Sequence, residues 1–121
     1  MGKKILVIED QEDNRAILRD LLEAAGFVYL EAANGLQGVA AAESEKPDLI
    51  LMDIQLPEID GYEATRRIKA QPALRSIPII AVTSYALSGD EGKAREAGCD
   101  DYVTKPFSPR QLLAKIREYL K

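Results

Sequence analysis

Residues 46–54 read Lys-Pro-Asp-Leu-Ile-Leu-Met-Asp-Ile, and at their centre Leu49–Met52 is an unbroken apolar run that ends at the carboxylate of Asp53. A run of this length is typical of a strand that is covered on both faces, as the strands of a parallel sheet are. Similar runs occupy Ile5–Ile8 and Ile77–Val82. These three runs predict the buried centre of a parallel sheet.

Two weaker runs complete the set of predicted strands. The stretches 27–31 (Phe-Val-Tyr-Leu-Glu) and 101–104 (Asp-Tyr-Val-Thr) have the composition of short strands. Pro78 has no N–H for a sheet hydrogen bond, so we expect it near the beginning of the fourth strand. The chain therefore holds five candidate strands.

Helical patterns lie between these runs. Apolar residues repeat at helical spacing over 17–25, and Gly26 marks the C-terminal end of that helix. An alanine-rich helix is predicted between the Asn-Gly turn at 34–35 and Pro47.

The remaining helices are marked mainly by their first residues. Asp60, with a glutamate three residues later, predicts the start of the third helix, and Ser108–Gln111 combines an N-cap, a proline at N1 and a glutamine at N3 for the last. The helix predicted over about 88–97 contains Gly89 and Gly92, each of which costs roughly 1 kcal/mol relative to alanine. We expect it to be the least stable helix.

Alternation of five strands with five helices predicts right-handed crossovers and a doubly wound α/β fold, a five-stranded parallel sheet with helices on both faces. The 121 residues have room for one domain, residues 1–121. A chain of 13.3 kDa buries enough surface to fold without disulfides or a structural metal.

Composition excludes several classes of function. Sixteen basic and twenty acidic residues give a net charge of −4, which argues against a direct nucleic-acid partner. The chain has no histidine for base catalysis, zinc binding or phosphorylation, and its single cysteine cannot form an internal disulfide. The first apolar run is far too short for a signal peptide or a membrane span, so we expect a cytoplasmic protein without membrane contact.

Polar side chains follow four of the predicted strands. Glu9 and Asp10 end the first strand, Asp53 the third and Thr83 the fourth, and Lys105 follows the fifth. In doubly wound sheets, functional groups collect at the carboxyl ends of the strands, where the strand order reverses. With the flavodoxin-like order 2-1-3-4-5, the first and third strands are neighbours, and we expect the three carboxylates to meet.

Three carboxylates at one rim repel one another unless a cation lies among them. A hard divalent ion with oxygen ligands is the usual compensation, and Mg²⁺, or Mn²⁺ in its place, suits a shell that a phosphate completes. An aspartate such as Asp53 can accept a phosphoryl group as a mixed anhydride if the charge on the phosphoryl oxygens is neutralised, here by the cation, Lys105 and Thr83. The rim predicts a magnesium and phosphoryl site.

The motifs on these elements form a recognisable set. They are Glu9-Asp10, the stretch 46–61 (Lys-Pro-Asp-Leu-Ile-Leu-Met-Asp-Ile-Gln-Leu-Pro-Glu-Ile-Asp-Gly), Ala81-Val82-Thr83, and 104–107 (Thr-Lys-Pro-Phe). In this order and over essentially the whole chain, they resemble the receiver domain of two-component response regulators. Among receivers, the chain is most similar to the stand-alone bacterial cell-division type.

The resemblance implies a phosphorelay, with a histidine kinase or histidine phosphotransfer protein as donor and a downstream protein as target. Output would pass through the face of the fourth helix, fifth strand and fifth helix, in a monomer or a phosphorylation-dependent dimer. A cis Lys105–Pro106 bond is also implied. The implied roles are phosphoacceptor for Asp53, magnesium ligands for Glu9, Asp10, Asp53 and the backbone carbonyl of Gln55, phosphoryl contact for Lys105, and a switch pair of Thr83 and Tyr102.

Departures from the family pattern leave two details open. Glu9 stands where aspartate is commonest, so the metal contact can be direct or through water. Gln55 and Tyr85 lie at positions where receivers differ and where the lifetime of the phosphoryl group is tuned, so the lifetime is not predicted.

Other functions compete with this interpretation. A Mg²⁺-dependent phosphatase of the haloacid dehalogenase kind also uses a strand-end aspartate, but its acid two residues later is replaced by Gln55, so we expect no multiple-turnover enzyme. A flavin module would favour hydroxyls over Glu9-Asp10 after the first strand. A receiver cut from a hybrid kinase is a further alternative. The residues after Lys105 form the last helix, so we expect output by protein binding.

Overall fold

The computed structural model describes residues 2–84 and 90–120, and these form five strands and five helices in alternation. The strands are β1 (Lys4–Ile8), β2 (Val28–Ala32), β3 (Leu49–Asp53), β4 (Ile79–Thr83) and β5 (Asp101–Thr104). The helices are α1 (Glu12–Ala24), α2 (Gly35–Glu45), α3 (Gly61–Lys69), α4 (Asp90–Ala97) and α5 (Pro109–Tyr119). Residues 85–89, which include Tyr85 and the predicted start of the fourth helix, lie outside the described residues.

All strands pair in parallel in the order β2-β1-β3-β4-β5, which confirms the predicted doubly wound, flavodoxin-like sheet. Ile8 pairs with Met52, so β1 and β3 end side by side. Thr83 pairs with Thr104, so β4 and β5 also end together. This register brings the carboxyl ends of four strands to one rim.

The second and fourth strands begin one or two residues later than predicted. The fourth strand begins at Ile79 rather than at Ile77, because the Ile77 N–H donates to Leu74 in a turn and Pro78 has no N–H. The second strand covers 28–32 rather than 27–31, because the Phe27 N–H is bonded to the last turn of α1. Backbone hydrogen bonds with neighbouring elements therefore decide both boundaries.

The predicted helix starts are confirmed by their N-caps. The side chains of Asn34, Asp60 and Ser108 each accept a hydrogen bond from the backbone N–H three residues later, which satisfies an otherwise unpaired donor at the start of α2, α3 and α5. Helix α4 has Ala94 and Ala97 as its buried residues among those described.

The core forms two layers, one on each face of the sheet. One layer packs α1 and α5 against the sheet through the buried residues Leu18, Leu22, Leu112 and Ile116. The other packs α2, α3 and α4 through Ala42, Ala64, Ile68 and Ala94. Strands β3 and β4 are buried along their whole length, so the rim at their carboxyl ends is fixed by a covered sheet.

Candidate functional site

The expected meeting of three carboxylates is observed at the rim. Glu9 and Asp10 follow β1, and Asp53 ends the neighbouring β3. Each of the three offers a carboxylate oxygen, and these oxygens lie within 4.8 Å of one another. Glu9 and Asp53 are buried, with exposed fractions of 2% and 4%. Two acidic groups are thus held out of water beside a third.

Both oxygens of the Glu9 carboxylate accept hydrogen bonds within the chain. Oε2 accepts from the backbone N–H of Gln11 at 3.1 Å. Oε1 accepts from Lys105 Nζ at 3.0 Å and from Asn14 Nδ2 at 3.3 Å. Glu9 is therefore fixed in position, and it is not a solvated loop residue that caps α1.

Asp53 is oriented by the loop that follows it. Its Oδ1 accepts from the Gln55 N–H at 3.1 Å and lies 3.6 Å from Lys105 Nζ. A Cβ added to Gly61, the first residue of α3, would overlap the Asp53 carbonyl oxygen and lie 2.7 Å from the Cα of Ile54. Only glycine lets α3 begin this close to the end of β3.

The two buried carboxylates titrate very differently. Burial and the neighbouring Glu9 raise the pKa of Asp53 to about 7, against the opposing effect of Lys105. Burial by itself would raise the pKa of Glu9 too, but the hydrogen bonds that its carboxylate accepts outweigh burial, and the pKa is lowered. Of the two carboxyls, Glu9 is therefore the one that keeps its negative charge to lower pH, and Asp53 is the one that takes up a proton more readily.

Lys105 and Thr83 complete the rim from the side of β4 and β5. The Lys105 N–H donates to the Thr83 carbonyl at 2.7 Å, which extends the pairing of the two strands by one residue. The Lys105–Pro106 peptide bond is cis, as the resemblance implied. The Thr83 side chain is buried, with an exposed fraction of 2%.

Tyr102 and Gln55 lie at the margins of this group. Tyr102 is half-buried on β5, pairs with Ala81 and packs against the core layer that contains Ala94 of α4. The exposed Gln55 contributes its N–H to Asp53. The metal contact of the Gln55 carbonyl and the switching role of Tyr102 stay predictions.

Sequence reasoning missed two residues of α1 that contact Glu9. Asn14 bonds the Glu9 carboxylate, and Arg15 Nη1 donates to the Glu9 backbone carbonyl at 2.8 Å. Arg15 lies only three residues after the start of α1, where the helix dipole disfavours a cation. That unfavourable placement was the available signal that the arginine has another partner.

A groove of about 420 Å³ opens beside the rim, between α1 and the loop from β5 to α5. Its apolar lining includes Ile17, Leu18, Pro106 and Phe107, and its polar lining includes Glu9 and Lys105. Ile17 is 59% exposed although it is apolar. The groove thus joins an apolar surface directly to the acidic cluster.

The donor set suits a hard divalent cation. Its members are carboxylate oxygens on neighbouring strand ends, close enough to share one ion. Burial and the neighbouring Glu9 both raise the pKa of Asp53, and a cation among the carboxylates would oppose both effects. Mg²⁺ is a cation of this kind, and Mn²⁺ has the same preference for oxygen ligands.

The sequence matches the response regulator receiver domain over residues 5–117, and the chain therefore belongs to this family. It is 45% identical over 120 residues to the polar-differentiation response regulator DivK of Brucella anthropi, an alignment that covers 99% of this chain and 98% of that protein. It is 44% identical to DivK of Brucella ovis over the same shares of the two chains.

Solved structures agree in fold. The receiver domain of the sensor histidine kinase PA1611 from Pseudomonas aeruginosa PAO1 superposes with a TM-score of 0.93 at 40% identity, over 99% of this chain and 98% of that chain. That structure has a magnesium ion coordinated in its active-site cleft. A putative response regulator from Chloroflexus aurantiacus superposes with a TM-score of 0.93 at 30% identity over 99% and 98% of the two chains.

Membership of the family defines the general activity. Receiver domains of this kind act in phosphorylation-activated two-component signalling, interact with histidine kinases and downstream targets, and are not classical multiple-turnover enzymes. Among residues 2–84 and 90–120, no helix has the length and apolar character that a membrane span requires.

Proposed function

We propose that residues 1–121 form one receiver domain in which Asp53 accepts a phosphoryl group from the phosphohistidine of a kinase or phosphotransfer protein, with Mg²⁺ as cofactor. The observation that carries this proposal is the cluster of Glu9, Asp10 and Asp53, in which Glu9 and Asp53 are buried, with the Lys105 ammonium beside it. Its parts match the needs of phosphoryl transfer, which are a nucleophile, a cation site and positive charge for the phosphoryl oxygens.

Asp10, Asp53 and the Gln55 carbonyl would hold Mg²⁺ directly, and Glu9 through water. The assignment for Glu9 is supported by its two oxygens, which already accept hydrogen bonds from donors of the chain. When bound, the ion supplies positive charge to the phosphoryl oxygens.

The transfer is a single displacement at phosphorus. An Asp53 carboxylate oxygen forms the new O–P bond as the P–N bond of the donor breaks, and the imidazole leaves and takes up a proton from solvent. Lys105, already 3.6 Å from Asp53 Oδ1, neutralises charge on the transferred group, and the Thr83 hydroxyl donates to it. The chain thus promotes its own phosphorylation.

The apolar groove is the surface on which we expect the protein donor to dock. It places exposed Ile17 next to a cavity that contacts Glu9 and Lys105, so a helix seated there carries its histidine to the rim. Small phosphodonors such as acetyl phosphate need only the rim itself.

Output follows from a change that begins at Thr83 on β4 and reaches Tyr102 on β5. Movement of the Thr83 hydroxyl toward the phosphoryl group opens space that Tyr102 fills, which alters the face of α4, β5 and α5. Helix α4 supports this role because its described buried residues are two alanines, so little apolar surface holds it in one position.

A receiver within a hybrid kinase is the second candidate. It is favoured by the likeness to the PA1611 receiver, which is part of a sensor histidine kinase. The size of the native polypeptide in an immunoblot of cell extract distinguishes the two arrangements. A phosphatase is disfavoured because the exposed Gln55 amide has no acidic proton to donate to a leaving group.

The test is the intact mass after incubation with acetyl phosphate, with and without Mg²⁺. We expect a single phosphoryl adduct that requires the metal and is absent from Asp53→Asn. Asp13→Asn, the same change at an exposed position on α1, is the matched control and should be modified like wild type. An adduct that persists in Asp53→Asn contradicts the assignment of the acceptor, and the absence of any adduct or Mg²⁺ response contradicts the proposal.

A further inference from the structure

Arg15 joins the acidic rim to the edge of the sheet. Its Nη1 donates to the backbone carbonyl of Glu9 at 2.8 Å, and its Nε lies 3.6 Å from Oε1 of Glu31 on β2. The Arg15 side chain is 15% exposed and that of Glu31 is 45% exposed, so the guanidinium is largely out of water and its carboxylate partner is half exposed. Arg15 therefore contacts the chain at the point where it leaves β1 and turns toward α1.

Glu31, which contacts Arg15 from β2, is also held in place by the chain. The Tyr29 hydroxyl lies 3.0 Å from Glu31 Oε1 and 3.2 Å from the Arg15 carbonyl oxygen. The Glu9 N–H donates to Ala32 on β2 at 3.1 Å. The loop from β1 to α1 is thus held between β2 and α1, with the Arg15 guanidinium in the middle.

We propose that Arg15 is a positioning residue for the cation site, which holds the Glu9 backbone and thereby aims the Glu9 and Asp10 carboxylates at Asp53. The inference rests on the proposed function, because it assumes that these carboxylates bind Mg²⁺. Groups that orient metal ligands through hydrogen bonds commonly change metal affinity by 10–100-fold when they are removed.

The direction in which the Mg²⁺ affinity changes distinguishes a positioning role of Arg15 from a purely electrostatic one. Removal of a positive charge near a cation site strengthens cation binding if charge alone matters. Loss of a positioning contact weakens binding, because the ligands no longer share one geometry. Arg15→Met keeps much of the apolar stem and removes both the charge and the donors, so the two effects have opposite signs in this variant.

The experiment is Mg²⁺ titration by calorimetry of wild type, Arg15→Met and Arg19→Met. Arg19 lies one turn further along α1 and is exposed, so it is a matched control for the loss of charge. We expect the Mg²⁺ Kd to rise about tenfold in Arg15→Met and to stay the same or fall slightly in Arg19→Met. A Kd that is unchanged or lower in Arg15→Met overturns the proposal.

A second readout needs no metal. Amide hydrogen exchange of Glu9 and Gln11 should accelerate in Arg15→Met relative to amides at the centre of β3, because the loop loses its anchor. Glu31→Gln leaves Arg15 in place but removes its ion pair. We expect it to raise the Mg²⁺ Kd and to accelerate amide exchange as Arg15→Met does, but by a smaller amount. If Arg15→Met does not fold, Arg15→Lys and Glu31→Gln test the proposal in its place. A wild-type Mg²⁺ Kd and wild-type exchange rates in both variants would overturn it.

The two proposals fail in different ways. Wild-type protein that does not bind Mg²⁺ contradicts the proposed function itself. Wild-type protein that binds Mg²⁺, together with Arg15 variants that bind it equally well, contradicts only the role of Arg15. Wild-type amide exchange rates at Glu9 and Gln11 in Arg15→Met also contradict this role, regardless of the Mg²⁺ affinity.

Discussion

Lys105 Nζ donates a hydrogen bond of 3.0 Å to Oε1 of Glu9, a residue 96 positions earlier in the sequence. The same ammonium lies 3.6 Å from Asp53 Oδ1. It is thus the counter-charge of a cluster whose two buried carboxylates lie at the ends of neighbouring strands. An ammonium in this position competes with any cation that the carboxylates bind.

Lys105→Met should therefore change stability and metal affinity in opposite directions. Without metal, the buried acidic pair loses its partner, and we expect the free energy of unfolding to fall by about 1–3 kcal/mol, less than for a fully buried pair because Lys105 is 22% exposed. Mg²⁺ should bind more tightly, because it no longer competes with a fixed positive charge. Urea unfolding and calorimetry measure the two effects.

Lys115→Met is the matched control for this variant. Lys115 pairs with Asp101 at 3.0 Å and is 31% exposed, so it offers a similar ion pair away from the cluster. Its loss should leave the Mg²⁺ affinity unchanged. Equal or weaker Mg²⁺ binding by Lys105→Met would show that the lysine does not compete with the cation.

The metal-free protein should lose stability as pH rises from about 5 to 8. The pKa of Asp53 in the folded protein is raised to about 7, so folding favours its protonated form, and that stabilisation is present at low pH and is lost as pH rises through 7. A shift of this size corresponds to about 2–4 kcal/mol between the two ends of the range. Urea unfolding in EDTA at a series of pH values measures it.

Asp53→Asn isolates the group responsible. An amide does not titrate, so the pH dependence of unfolding between 5 and 8 should be nearly flat in this variant, and its stability at pH 8 should exceed that of wild type. The lowered pKa of Glu9 gives the opposite slope, but only below its ordinary value near 4.5, outside this range. A wild-type slope retained in Asp53→Asn would assign the effect to another residue.

Mg²⁺ should raise the thermal midpoint of the wild type, because a ligand that binds only the folded state stabilises it. At about ten times its Kd, the expected gain is about 1.4 kcal/mol, or roughly 5 °C for a domain of this size. Asp10→Ala should abolish the shift, and Asp13→Ala, an exposed acidic residue nearby on α1, should keep it. A full shift in Asp10→Ala would mean that the cation binds elsewhere.

The fold and the principal site residues could be predicted from the sequence because each depends on local signals. Apolar runs such as Leu49–Met52 identify buried strands, and residues at strand ends share a rim once the strand order is given. The partners of individual side chains could not be predicted in this way. The contact of Lys105 with Glu9 depends on where two distant segments end in space, and that of Arg15 on the direction of one long side chain.

Gly61→Ala tests whether close packing of α3 holds Asp53 in place. The added Cβ would meet backbone atoms of Asp53 and Ile54, so β3 and α3 must separate, and we expect a loss of about 1–3 kcal/mol together with weaker Mg²⁺ binding. Gly92 in α4 has open space around it, so Gly92→Ala should stabilise the helix by up to about 1 kcal/mol. Urea unfolding of both variants checks the prediction. A Gly61→Ala variant with the wild-type free energy of unfolding would contradict the packing argument.

Ile17→Asp should separate phosphorylation by a protein donor from phosphorylation by a small molecule. Ile17 is 59% exposed on the groove beside the rim, and loss of such an apolar anchor should slow transfer from a phosphotransfer protein about tenfold. Phosphorylation by acetyl phosphate should keep its wild-type rate, because the rim is untouched. Leu36→Asp, at a residue 46% exposed on α2, is the matched control and should leave both rates unchanged. Equal slowing with both donors would mean that Ile17 supports the rim, and wild-type rates with both would mean that the donor docks elsewhere.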